Sequence, residues 1–147
     1  MLCISSYQSS DLTVKADAAN ISAQIAISTT GQVVKVPFGK IDNTTIAHLD
    51  GGDMVIDIAG WYYTRLNICF SENTNERNYH DYRIVINNAV SVSGIGNIPN
   101  PVVGGLTQYP LSDIVYLNKS DRIRIDVIIG KSCNVKLAHT KIVLLRK

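Results

Sequence analysis

From Asp53 onward, apolar residues recur at every second position, and a period of two confines the chain to β-structure. The clearest run is Arg122 to Ile129, where Ile123, Ile125, Val127 and Ile129 alternate with Arg122, Arg124, Asp126 and Ile128. In an extended strand, side chains two positions apart share a face, so each run offers one apolar face to a core. After Ala59-Gly60 the same pattern puts Tyr62, Thr64, Leu66, Ile68 and Phe70 on one side. Trp61, Tyr63, Arg65, Asn67 and Cys69 fall on the other. Shorter runs hold Met54, Ile56 and Ile58, then Tyr82, Ile84 and Ile86, then Ile114 to Leu117; Val135 to Leu145 makes a final strand. The polar segment Ser71 to Asn78 and the Gly-, Pro- and Asn-rich segment Ser93 to Gly105 read as loops. Only Ala16 to Ile27 has helical spacing, and a short helix or an irregular arm ending in a strand fits it equally well. About eight to ten short strands separated by turn signals predict an all-β sandwich or jelly roll.

The chain has 147 residues, enough for one domain with its own core. Its 46% hydrophobic and 18% charged residues exclude a disordered chain. The net charge of +2, with Lys and Arg scattered among Asp and Glu, argues against nucleic acid as a partner. No apolar run approaches the ~20 residues of a membrane span, so membrane insertion is not expected. The first ten residues lack a cationic region and an apolar stretch, and the expectation is a protein made in a cytoplasm. Cys3, Cys69 and Cys133 match neither a disulfide framework nor a paired metal-binding motif. One bridge between Cys69 and Cys133 and two buried thiols are both open, with buried thiols preferred.

Catalytic patterns are missing. His48, His80 and His139 have no metal-ligand spacing to one another or to the cysteines. Asp50-Gly51-Gly52-Asp53 offers oxygens to Ca²⁺, but a plain hairpin turn explains it better. Gly94-x-Gly96 lacks the Lys-Ser/Thr and the following helix of a phosphate loop, and no G-x-S-x-G elbow is present. The expectation is a protein that is not an enzyme and has no cofactor. Arg77 to Arg83 mixes aromatic and basic groups that suit stacking on a sugar or base, although Tyr82 reads better as core.

One pattern reaches beyond fold class. A half-buried antiparallel strand needs only one apolar face. Ile142-Val143-Leu144-Leu145 is apolar on both, and the strand after Gly60 carries Trp61, Tyr63 and Cys69 on its second face. With no helix available to cover such a sheet, a second copy of the chain is the expected cover.

Three segments resemble a known family. They are Val36-Pro37-Phe38-Gly39-Lys40-Ile41, Ile58-Ala59-Gly60-Trp61-Tyr62, and Ile114 to Asp121 running into Ile123-Arg124-Ile125. Ile84-Val85-Ile86-Asn87-Asn88 sits where the family has a strand ending in Asn-Gly. Together they resemble the trimeric tumour-necrosis-factor-like jelly rolls, and more closely the complement globular-head type. Ser120 and Asn88 stand where that family has Gly, and both fit turns. The resemblance implies a jelly roll over residues 32–147; residues 1–31 lie outside it and, rich in Ala, Ser, Gln and Ile, read as an arm for docking or trimer contact. The resemblance also implies a homotrimer in which the strands starting at Trp61 and Arg122 and the final strand face the threefold axis. Trp61, Tyr63, Ile128, Ile142 and Leu144 would form the interface core, and Arg124 and Asp126 of neighbouring copies would pair.

Fold-level analogy then suggests a role: a structural or attachment protein on a virion surface, in particular a bacteriophage capsid decoration, head fibre or receptor-binding fibre head. The arm would bind other virion proteins. Three loop sets at one end of the trimer would bind a host-surface glycan or protein by avidity. Their candidate residues are Glu72, Asn75, Arg77 and Tyr79 in and after the first loop, and Asn97 and Asn100 in the second. The alternative is a cellular trimeric ligand or carbohydrate-binding module of the same fold.

Overall fold

The strand after Gly60 sets the frame. In the computed structural model, which describes residues 13–17 and 25–147, it runs without a break from Gly60 to Glu72. Tyr62, Thr64, Leu66, Ile68 and Phe70 are fully buried on its inner face, while Trp61 and Arg65 are exposed on the other. The described residues form twelve strands and no helix: β1 (Thr13–Asp17), β2 (Ile25–Ile27), β3 (Val34–Val36), β4 (Lys40–Ile41), β5 (Ala47–Asp50), β6 (Asp53–Ile56), β7 (Gly60–Glu72), β8 (Asn78–Ile86), β9 (Ala89–Ile98), β10 (Leu106–Leu117), β11 (Arg122–Ile129) and β12 (Cys133–Arg146).

They make two antiparallel sheets. The first has the order β10-β7-β12-β1-β4, with β2 also on β12; the second has β5-β6-β11-β8-β9, with β3 also on β11. From β6 onward the chain changes sheet at every step except the β8–β9 hairpin. The alternating apolar faces meet between the sheets, where Phe38, Met54, Tyr62, Phe70, Ile84 and Ile125 are among the buried core residues. Gly60 is required where the end of β12 crosses the start of β7. A Cβ there would lie 2.5 Å from the Arg146 carbonyl oxygen and 2.6 Å from Leu144 Cδ1.

Several expectations change here. The segment Ser93–Gly105 is loop only over 99–105, because β9 continues to Ile98 and β10 begins at Leu106. Gly94 and Gly96 do not break the strand: they leave room for the Tyr82 and Tyr109 rings against β9. The first loop is likewise shorter, at 73–77. The expected arm is not separate over its described part, since β1 and β2 both pair with β12 inside the first sheet. Of the ambiguous Ala16–Ile27 segment, the described ends are strand. Cys69 and Cys133 are free thiols, and Cys3 lies outside the described residues.

Two assignments of faces are corrected. β11 belongs to the second sheet, so Arg124, Asp126 and Ile128 do not share a surface with Trp61. Ile142 and Leu144 point into the core of their own chain, 0% and 4% exposed. Two register shifts along β12, at Val135/Leu137 and Leu144/Arg146, decide which of its apolar residues face out. Those are Leu137, Val143 and Leu145.

Candidate functional site

The outer face of the first sheet carries most of the large apolar side chains left in water. Cross-strand register stacks it in rows. At one end Tyr116 lies opposite Trp61, and Ile114 opposite Tyr63, which itself lies opposite Val143. Trp61 is 41% exposed, Tyr116 44%, Ile114 61% and Leu145 53%. At the far end Leu106 and Leu137 are also exposed. Between them runs a polar band: Ser112, Arg65 and Lys141 in one row, then Pro110, Asn67 and His139. Pro110 is tolerated because β10 is the edge strand and needs no amide donor on its free side.

Of the residues expected at an interface, the structure brings only Trp61 and Tyr63 to this face. Ile142 and Leu144 lie beneath it. Arg124 and Asp126 pair within one chain, Nε to Oδ1 at 3.0 Å, and Arg124 also donates to the Asn88 side chain. Ile114, Tyr116 and Leu137 were not expected there, and of the doubly apolar run Ile142 to Leu145 it is Val143 and Leu145 that face outward. Ile114 and Tyr116 alternate with Val115 and Leu117, so both faces of β10 are apolar, and that doubling is the signal that could have found them.

The end of the sandwich where β7 stops forms a second candidate. Glu72 is corrected from an exposed loop residue to a buried strand end, 2% exposed. The reason is its partner. His80 Nε2, on the neighbouring buried face, lies 2.6 Å from Glu72 Oε1, close but out of line for a straight hydrogen bond. Asn78 donates to Glu72 Oε2 at 2.8 Å, and Tyr109 OH lies 3.0 Å from His80 Nδ1. With Nε2 protonated, the neutral imidazole turns its N–H edge toward the Glu72 carboxylate and leaves Nδ1 to accept from Tyr109. Burial holds His80 below its ordinary pKa, although the Glu72 carboxylate pulls the other way. Phe70 stacks on the ring at 4.2 Å. Burial, then the Glu72 charge, pushes the nearby Cys133 thiol up to about 12, so it is an inert core group.

This buried set anchors the loops above it. Glu72 N donates to the Gly105 carbonyl at 3.0 Å, and Gly104 N to the Glu72 carbonyl at 2.8 Å. Lys131 and Glu76 pair at 2.7 Å across the top. Asn75 and Arg77 are exposed in loop 73–77, and Asn100 in loop 99–105. Tyr79 and Asn97 are strand residues, directly opposite each other on β8 and β9. Val102 and Val103, 72% and 64% exposed at the second loop's tip, join this end without having been expected there.

The remaining polar clusters satisfy themselves. Asp50-Gly51-Gly52-Asp53 is the turn between β5 and β6, with both glycines at positive φ. Its carboxylates face cations of the same chain: Asp50 meets Arg122 at 2.6 Å, and Asp53 meets Lys35 at 2.5 Å and Arg122 at 3.2 Å. Partial burial raises the Asp53 pKa, but Lys35 and Arg122 outweigh it and hold the group below its usual value. Among the described residues no three His, Cys, Asp or Glu side chains converge as metal ligands. His48 pairs with Asp57 at 2.9 Å. No family model matches the chain, and no curated protein matches its sequence.

Proposed function

We propose that the chain is a jelly roll of the tumour-necrosis-factor-like kind, that it assembles as a homotrimer through the outer face of its first sheet, and that it is a binding protein without catalytic activity. The observation that carries this is the gathering of Trp61, Tyr63, Ile114, Tyr116, Val143 and Leu145 at one end of a single sheet face. Contiguous apolar surface of that kind marks an interface, and a closed symmetric assembly covers it with the chain's own copies. The strand orders, with sheet changes at nearly every step from β6, fit the jelly-roll reading. In such a trimer the 73–77 and 99–105 loops recur three times at one end, so weak single contacts add up. By fold-level analogy the role is that of a virion surface protein, a bacteriophage capsid decoration, head fibre or fibre head that attaches to a host.

Native mass spectrometry of the full chain tests the assembly: the expected species has three times the 16.1 kDa chain mass, and a monodisperse monomer overturns it. Labelled trimer that binds intact bacterial cells, and stops binding when Asn75, Arg77 and Asn100 are replaced by alanine, supports attachment. Equal binding by that variant removes the loops from the proposal.

A further inference from the structure

We infer that the middle of the first sheet's outer face is an anion site, completed by neighbouring copies, that takes a small tetrahedral oxyanion of the phosphate or sulfate class. The inference rests on the trimer reading above and adds a ligand to it.

Arg65 and Lys141 stand directly opposite each other on β7 and β12, and Lys15 holds the register position opposite Lys141 on β1. Like charges in directly opposed positions destabilise a sheet. Neither Arg65 nor Lys141 makes an ion pair or side-chain hydrogen bond among the described residues, and the two line a depression of about 220 Å³ with Asn67 and His139. In the second sheet the cations on the strands are paired: Arg83 with Asp81, Arg124 with Asp126, Arg122 with Asp50 and Asp53, and Lys35 with Asp53. Among the described residues no such acid pairs with Arg65 or Lys141. On β10, β7 and β12 the same two rows hold Ser112, Pro110, Asn67 and His139, so no carboxylate on these strands stands beside the two cations.

The depression also offers a neutral donor. Gln108 Nε2 donates to Asn67 Oδ1 at 2.8 Å, which occupies the amide oxygen and leaves the Asn67 NH₂ without a partner among the described residues. A guanidinium, an ammonium and an amide NH₂ around one hollow, all donors, suit an acceptor-only group with several oxygens. Packing copies face to face would bring these cations together and remove the water that screens them. A multiply charged anion between the copies offsets that repulsion.

The test uses full-length protein dialysed into a chloride buffer. Adding inorganic phosphate or sulfate to about 10 mM should raise the thermal midpoint of the trimer by several degrees, because a ligand of the folded assembly stabilises it by mass action. Chloride at matched ionic strength should not. In Arg65→Gln/Lys141→Gln the phosphate response should vanish while the native mass stays trimeric. A wild-type trimer that responds to phosphate no more than to chloride overturns the anion site and leaves the trimer standing, as does a double variant with an unchanged response. A monomer under all conditions overturns both.

Discussion

Trp61 and Tyr116 meet edge to face on the outside of the first sheet, with ring centroids 5.6 Å apart and an interplanar angle of 76°. Such pairs are ordinarily core features, adding ~0.5–1.5 kcal/mol beyond the area they bury. Here both rings remain more than two-fifths exposed, so the pair has a geometry that one chain leaves half used. Ile114 and Tyr63 extend the same surface one row further.

Replacing Tyr116 with Asp should therefore separate the assembly without unfolding the chain. The side chain is 44% exposed, so losing its contact with Trp61 and placing Asp in a strand should cost only ~1–2 kcal/mol, too little to unfold the chain. Sedimentation or native mass should shift from trimer toward the 16.1 kDa monomer, with the far-ultraviolet circular dichroism spectrum unchanged. A trimer that persists in this variant would remove the Trp61 end from the interface.

Leu144 behaves in the opposite way. It is 4% exposed and lies under Gly60 in the core of its own chain. Leu144→Ala should lower unfolding stability by ~2–5 kcal/mol, the range for a core leucine truncated to alanine. Denaturant titration measures the loss. A change below about 1 kcal/mol would place Leu144 at a surface rather than in the core.

The contrast between these two residues shows how far sequence reasoning reached. Alternation at Tyr62 to Phe70 and at Ile123 to Ile129 named buried faces correctly, because a period of two is a local property of the backbone. The chain's excess of apolar surface was also legible at Trp61 and in Ile142 to Leu145. Which member of that last run faces outward was not, since two register shifts in β12 set the phase and they depend on pairing with β7. The placement of β11 in the second sheet is likewise a matter of topology, invisible in its own residues. Glu72 was misplaced for a similar reason: its burial depends on His80 and Asn78, which reach it from another strand.

Ser120 gives a prediction on the backbone itself. It adopts φ 75° in the turn between β10 and β11, where an L-residue is strained. The turn needs that conformation, since Ser120 N donates to the Ile56 carbonyl at 2.7 Å. Ser120→Gly should relieve strain by more than the added freedom of the unfolded chain costs, for a net gain of ~0.5–1 kcal/mol. A thermal midpoint that stays the same or falls would show that the serine is not strained there.

The buried Glu72–His80 pair makes stability depend on pH. His80 is held below its ordinary value of 6.5 by burial, so the unfolded chain binds a proton at this residue more readily than the folded one. The contribution is fully present above the unfolded value and is lost as pH falls from there through the depressed folded value. Denaturant midpoints should be flat from about pH 8 to 7 and decline below about 6.5. In His80→Gln the part of this decline due to imidazole should disappear, leaving only carboxylate protonation at lower pH. That variant should also be weaker at neutral pH by ~1–3 kcal/mol, since it removes a neutral donor beside a buried carboxylate that keeps only its bond from Asn78. An acid decline identical in wild type and His80→Gln would assign the titration to another group.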